Sequence, residues 1–87
     1  AYGLSAALFG KINVVGGAVQ ESNFHDYPVL RMVEMPRVTV DIIASDARMG
    51  GIGEPATAPI APAVANAVFA LTGQRLRTLP LRLEAAP

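Results

Sequence analysis

The 87-residue sequence contains no cysteine and no tryptophan, and only 16% of its residues are charged. Without cysteine, the chain can form neither a disulfide framework nor a thiolate zinc site, and it cannot ligate an iron–sulfur cluster. Its formal net charge is zero and its seven basic residues are scattered, which argues against a nucleic-acid partner. No apolar run nears the ~20 residues that a membrane-spanning helix requires.

Apolar residues are abundant instead, at 52% of the sequence. The length fits one domain, residues 1–87, which on folding would bury only about 60% of the surface that its unfolded chain exposes. A small free-standing domain needs more charged surface than this sequence provides. We therefore expect part of the apolar surface to contact another chain, or a further part of the same polypeptide.

The first half of the sequence predicts a short helix followed by strands. Residues 1–9 are apolar with helical spacing and end at Gly10, which predicts a short N-terminal helix remnant. Residues 11–15 and 18–22 flank Gly16 and Gly17, a pattern typical of a β-hairpin. Residues 37–44 alternate apolar and polar side chains after Pro36, and form the clearest predicted strand.

The second half of the sequence predicts one main helix. We expect it at about residues 61–71, with Pro62 at its first position and Gly73 closing it. The tail, residues 74–87, is expected to contain a short strand. These elements predict the α+β class, with a small antiparallel sheet and helices on one face.

The segment around Glu54 is the strongest local signal for chemistry. Gly50, Gly51 and Gly53 allow a ligand close to the backbone, and Pro55 restricts Glu54 to an extended conformation. A carboxylate held in this way can act as a general base. By residue chemistry alone, two other interpretations stay open: a tight turn with an exposed glutamate, and a generic anion site at the start of the following helix.

The other candidate groups give weaker signals. His25 lies beside Asp26, which is compatible with a proton shuttle or a metal ligand, but a lone histidine in a loop is more often structural. Arg31, Arg75 and Arg77 are interpreted as ordinary surface or interface charges. The carboxylates show no regular spacing, so no metal-ligating or paired-carboxylate site is predicted.

Three runs of the chain resemble the molybdenum hydroxylase family, which includes xanthine dehydrogenase and aldehyde oxidase. They are GIGEPATAPIAPAVANAVF at residues 51–69, SNFHDYPVLRM at residues 22–32 and TGQRLRTLP at residues 72–80. Within the family, these runs are most similar to the β-subunit of isoquinoline 1-oxidoreductase and to aldehyde dehydrogenase large subunits. The resemblance implies that the chain is a C-terminal fragment of a longer subunit, within its molybdopterin-binding domain.

The same resemblance assigns roles to individual residues. It implies that Glu54 is the catalytic glutamate of the family's G-x-G-E-P motif. In the family, this glutamate takes a proton from an oxygen at the molybdenum centre, which then attacks an aldehyde or a carbon beside a ring nitrogen. Gly51 and Gly53 are the cofactor-binding candidates. Ala56 departs from the family pattern, because relatives often carry glycine at this position.

A cofactor and partner subunits are implied for the complete protein. The cofactor would be molybdenum–molybdopterin, in the cytosine dinucleotide form, with water as the source of oxygen. The partners would be the rest of the large subunit, a small 2Fe–2S subunit and, in some relatives, a cytochrome c subunit. The substrate, the electron acceptor and the compartment, bacterial cytoplasm or periplasm, stay open.

A second hypothesis treats the isolated chain as a non-catalytic structural module. One loop cannot hold a large pterin cofactor, so we expect no cofactor in the 87 residues alone. In this interpretation, the chain forms homo-oligomers through its apolar surface.

Overall fold

The structure, a computed structural model, describes residues 1–83. Its elements in chain order are helix α1 (Tyr2–Leu8), strands β1 (Val14–Val15) and β2 (Ala18–Val19), a 3₁₀ turn (Met32–Glu34) and helix α2 (Thr57–Thr72). Two helices and a two-stranded antiparallel sheet confirm the predicted α+β class. No helix among the described residues is long and apolar enough to cross a membrane.

Helix α1 packs directly against the first turn of α2. A Cβ atom built at Gly3 would lie 2.7 Å from Cγ2 of Ile60 and 3.2 Å from Cα of Thr57, so the absence of a side chain permits this approach. A seven-residue helix is unstable alone in water, because its few hydrogen bonds do not offset the conformational entropy lost when the first turn forms. We infer that contact with α2 stabilises α1.

Two further segments attach to α1 through hydrogen bonds. The Leu30 N–H donates to Oγ of Ser5 at 3.0 Å, and the Leu81 N–H donates to the carbonyl of Ala7 at 2.8 Å. Ala7 and Leu81 are 2% and 8% exposed, and they are the only buried apolar residues among those described. Helix α1 therefore contacts α2, residue 30 and the tail.

Helix α2 begins four residues before the predicted start at residue 61. Pro62 was expected at the first helical position but lies inside the helix, where it leaves the carbonyl of Ala58 without its usual donor. Pro59 occupies the first turn, where a helix needs no N–H. The predicted end is confirmed, since Gly73 adopts φ 76° and donates its N–H to the carbonyl of Phe69 at 2.8 Å.

The predicted hairpin is confirmed, but its strands are only two residues long. Gly16 and Gly17 have φ of 59° and 79°, as a two-residue hairpin turn requires. Just beyond the strands, the N–H and the side-chain amide of Asn13 each donate to the Glu21 carboxylate at 2.7 Å. These bonds extend the pairing through a side chain after the regular ladder ends.

Two predicted strands are absent from the structure. Residues 37–44, expected to be the clearest strand, contain no strand, and residues 74–83 of the tail contain none either. The remaining tail prediction, at residues 84–87, lies outside the described residues. A strand requires a hydrogen-bonding neighbour, and the only sheet within residues 1–83 is the short hairpin.

The chain does not close a core of its own. Its accessible surface is 7650 Å², whereas a compact 9.1 kDa protein exposes about 4,900 Å². The Cα radius of gyration is 16.5 Å, against about 12 Å for a compact chain of this length. Most large apolar side chains are exposed, which agrees with the expected contact between this surface and a further polypeptide.

The Gly3 contact gives a first test. Gly3→Ala places a methyl group against Ile60 and Thr57, and we expect it to destabilise the α1–α2 pair by about 1–3 kcal/mol. Urea unfolding followed by circular dichroism measures this change. Gly50→Ala is the matched control, because nothing lies within 4 Å of its Cβ position. Equal stability of the two variants would contradict the packing role of Gly3.

Candidate functional site

The glycine loop, defined here as residues 46–56, leads directly into α2. The Thr57 N–H donates to the carbonyl of Glu54 at 2.9 Å, which closes a turn between the loop and the helix. Thr57 in turn contacts α1 at Gly3. The backbone of Glu54 is thus fixed relative to the helix pair by one hydrogen bond and one helix contact.

The loop presents an open face around Glu54. The Glu54 residue is exposed, and no atom lies within 4 Å of the Cβ positions built at Gly50, Gly51 and Gly53. Gly53 also lines a cleft of about 210 Å³ between α1 and the first turn of α2, together with Tyr2 and Ile60. A flat ligand can therefore approach the loop backbone, as glycine permits.

Glu54 is the only carboxylate among residues 47–56 of the loop, and Asp46 lies at the start of the loop. Among residues 1–83, no group of three or more histidine, aspartate or glutamate side chains could hold a metal ion. The structure does not bring Glu54 together with His25 or another titratable group. The loop therefore offers one carboxylate near its glycines and an open backbone surface.

The His25–Asp26 pair has a local structural role. His25 Nε2 lies 3.6 Å from Asp26 Oδ2, but the His25 side chain is 73% exposed. The Asp26 carboxylate accepts hydrogen bonds from the N–H groups of Ser22 and Asn23 at 3.0 Å each. The geometry therefore supports the structural interpretation of this pair, in which Asp26 orders the turn at residues 22–27.

A second concave surface lies near the tail and was missed by sequence reasoning. Arg75, Arg77 and Arg82 line a pocket of about 410 Å³. Arg75 stacks over the Phe69 ring at 3.6 Å and donates to Oδ1 of Asn66 at 2.8 Å. The distribution of charge in the sequence could have predicted this basic pocket, because residues 55–83 contain three arginines and no carboxylate.

The sequence is similar to parts of two named oxidoreductases. Over 80 residues the chain is 46% identical to isoquinoline 1-oxidoreductase subunit beta of Brevundimonas diminuta, covering 92% of the chain and 10% of that protein. It is 36% identical over 81 residues to a membrane-bound aldehyde dehydrogenase (pyrroloquinoline-quinone) of Gluconacetobacter polyoxogenes, covering 93% of the chain and 10% of that protein.

A third relative carries molybdenum in its name. The chain is 35% identical over 86 residues to a putative xanthine dehydrogenase molybdenum-binding subunit of Escherichia coli K12, covering 91% of the chain and 11% of that protein. No protein-family model matches the chain, and no solved structure matches it significantly.

The three relatives are named as oxidoreductases, two of them as subunits, and the xanthine dehydrogenase relative is named as a molybdenum-binding subunit. The chain is related to a segment of this molybdenum hydroxylase family, and the resemblance found in its sequence is confirmed. It spans only about a tenth of the length of the curated relatives that it matches.

The Asp26 turn predicts a pH dependence. Hydrogen bonds from the N–H groups of Asn23 and Ser22 hold the pKa of Asp26 below its ordinary value of 3.8. A lowered folded-state pKa means that the carboxylate stabilises the turn above pH 3.8, and that this contribution is lost as pH falls through the lowered pKa. Proton NMR should show the Ser22 and Asn23 amide signals moving with a midpoint below 3.8.

Asp26→Asn is the control for this titration. It removes the ionisable group, so the acidic shift of both amide signals should disappear. A midpoint at or above 3.8 in the unmodified chain would contradict the assigned hydrogen bonds.

Proposed function

We propose that the chain is the C-terminal segment of the large subunit of a molybdenum-cofactor-dependent hydroxylase, with Glu54 as general base. The observation that carries this proposal is the position of Glu54, in an open glycine loop fixed to the start of α2. The match to isoquinoline 1-oxidoreductase subunit beta covers 92% of the chain, so Glu54, which is far from both ends, lies within the related segment.

Glu54 supplies the proton acceptor in this proposal. Its carboxylate holds a proton at an Oε atom after taking it from the oxygen that attacks the substrate. The cofactor, when bound, supplies the Lewis acidity and accepts the two electrons of the oxidation. Pro55 restricts the Glu54 backbone, and the Thr57 hydrogen bond connects the carbonyl of Glu54 to the first residue of α2.

The glycines give the cofactor access to the loop. Gly51 and Gly53 have space where a side chain would otherwise stand, which fits one edge of a large, flat pterin lying against the backbone. The described residues fit this limited role, while the groups that hold molybdenum and the pterin, proposed in its cytosine dinucleotide form, belong to the rest of the large subunit. A small 2Fe–2S subunit and a cytochrome c subunit are the proposed electron carriers.

The proposed substrates are aldehydes or nitrogen heterocycles, oxidised with water as the oxygen source. The names of the relatives include an aldehyde dehydrogenase and an isoquinoline oxidoreductase, so they support both classes equally. Within the chain, the cleft beside Gly53 is lined mainly by small and apolar residues, with Tyr2 and Thr57 as the hydroxyl-bearing ones, and this lining does not separate the two classes.

One observation favours a second candidate for the 87 residues taken alone. The exposed surface exceeds that of a compact protein by about 2,700 Å². Such a surface would drive the isolated chain to associate as a non-catalytic, oligomerising module without cofactor. This second function applies only to the isolated 87 residues, so it is compatible with a catalytic role of Glu54 in a complete subunit.

Glu54→Gln in the complete enzyme tests the catalytic role. The amide cannot accept the proton, so we expect kcat to fall by about 10²–10⁴-fold, while the molybdenum content stays near that of the unmodified enzyme. Steady-state kinetics and metal analysis measure the two quantities.

Asp46→Asn is the matched control, since it neutralises an exposed carboxylate elsewhere in the same loop. We expect this variant to keep normal turnover. Retained turnover in Glu54→Gln, with normal molybdenum content, would refute the assignment of Glu54.

A further inference from the structure

Residues 37–43 carry the strongest strand pattern of the sequence but have no partner. Val38, Val40 and Ile42 would lie on one face of an extended segment, and Thr39 and Asp41 on the other, where Ile43 is the one apolar side chain. In the structure, the three apolar side chains are 63%, 75% and 91% exposed. The segment thus has the side chains of a buried strand without the contacts of one.

The backbone of this segment is also unpaired. Within residues 1–83, no backbone–backbone hydrogen bond involves residues 36–44. Backbone N–H and C=O groups need new partners when they leave water, and a strand with unpaired groups is a template for another strand. Burial of the apolar face therefore requires a partner that pairs with the backbone at the same time.

We propose that residues 37–43 form a β-strand by pairing with an edge strand of the same large subunit, outside these 87 residues. That partner strand presents its own unpaired backbone and an apolar surface beneath Val38, Val40 and Ile42. This inference rests on the proposed larger subunit, but it does not depend on the catalytic role of Glu54.

The exposed area and the length of the relatives favour this partner over a second copy of the chain. A typical interface covers about 800 Å² on each partner, less than a third of the roughly 2,700 Å² of excess surface, so one dimer contact leaves most of it exposed. The relatives are about ten times as long as the matched segment, which leaves ample polypeptide to cover it.

Hydrogen–deuterium exchange with mass spectrometry tests the pairing. In the complete polypeptide, we expect the amides of residues 37–43 to exchange at least ~100-fold more slowly than the same amides in the 87-residue chain. Val40→Asp places a charge on the apolar face and should abolish most of this protection. Thr39→Asp places the same charge on the polar face, one residue away, and should preserve it.

Two results would overturn the proposal. Equally rapid exchange of residues 37–43 in the complete polypeptide and in the 87-residue chain would exclude strand pairing, whatever the variants do. Protection that appears in the 87-residue chain as its concentration rises, with a dimer in light scattering, would assign the partner to a second copy. Enzyme activity is not a readout, so a failed assignment of Glu54 leaves this test unaffected.

Discussion

The close approach of α1 to α2 at Gly3 determines how the rest of the chain is arranged. A methyl group at Gly3 would stand 2.7 Å from a methyl group of Ile60, so the two helices meet only because this position lacks a side chain. Through α1, the same contact positions residue 30 and the tail, which bond to Ser5 and Ala7. Through Thr57, it fixes the point where the glycine loop enters α2. The candidate site therefore depends on a packing contact outside the loop itself.

Beyond this helix pair, the chain behaves as an incomplete folding unit. Its surface and radius of gyration are too large for a compact protein of 87 residues, and only Ala7 and Leu81 are buried among its described apolar residues. So little burial offsets only a small part of the conformational entropy that folding costs, so contacts with further polypeptide would add to the stability of the chain. The chain spans about a tenth of its relatives' length. In a protein of that length, further polypeptide could cover the open loop and pair with residues 37–43.

Sequence reasoning succeeded where local chemistry decides the structure. Gly16 and Gly17 specified the hairpin turn, and Gly73 specified the end of α2, because positive φ angles favour glycine. It was wrong about the start of α2, since proline is compatible with several positions near a helix start. The strand predicted at residues 37–44 is absent from the described chain, because side-chain alternation favours a strand but cannot supply the neighbour with which it pairs.

In the candidate site too, some residues were predicted from the sequence and others were found only in the structure. Glu54 was predicted from its glycine and proline neighbours together with a family resemblance, and its role stays a prediction. The pocket lined by Arg75, Arg77 and Arg82 depends on how the tail folds back beside α2. The role of Asp26 in ordering its turn was equally hidden, because it arises from backbone N–H groups that any sequence provides.

The central claim is that Glu54 acts as a base, and a small carboxylate added in solution should therefore replace it in a variant that lacks the side chain. The most direct measurement is kcat/KM of the complete enzyme and of its Glu54→Ala variant, with and without added formate. We expect kcat/KM to be lost in the variant and partly restored by formate, because formate can accept the proton in the space left by the side chain. An unchanged kcat/KM in Glu54→Ala without formate would show that another group is the base.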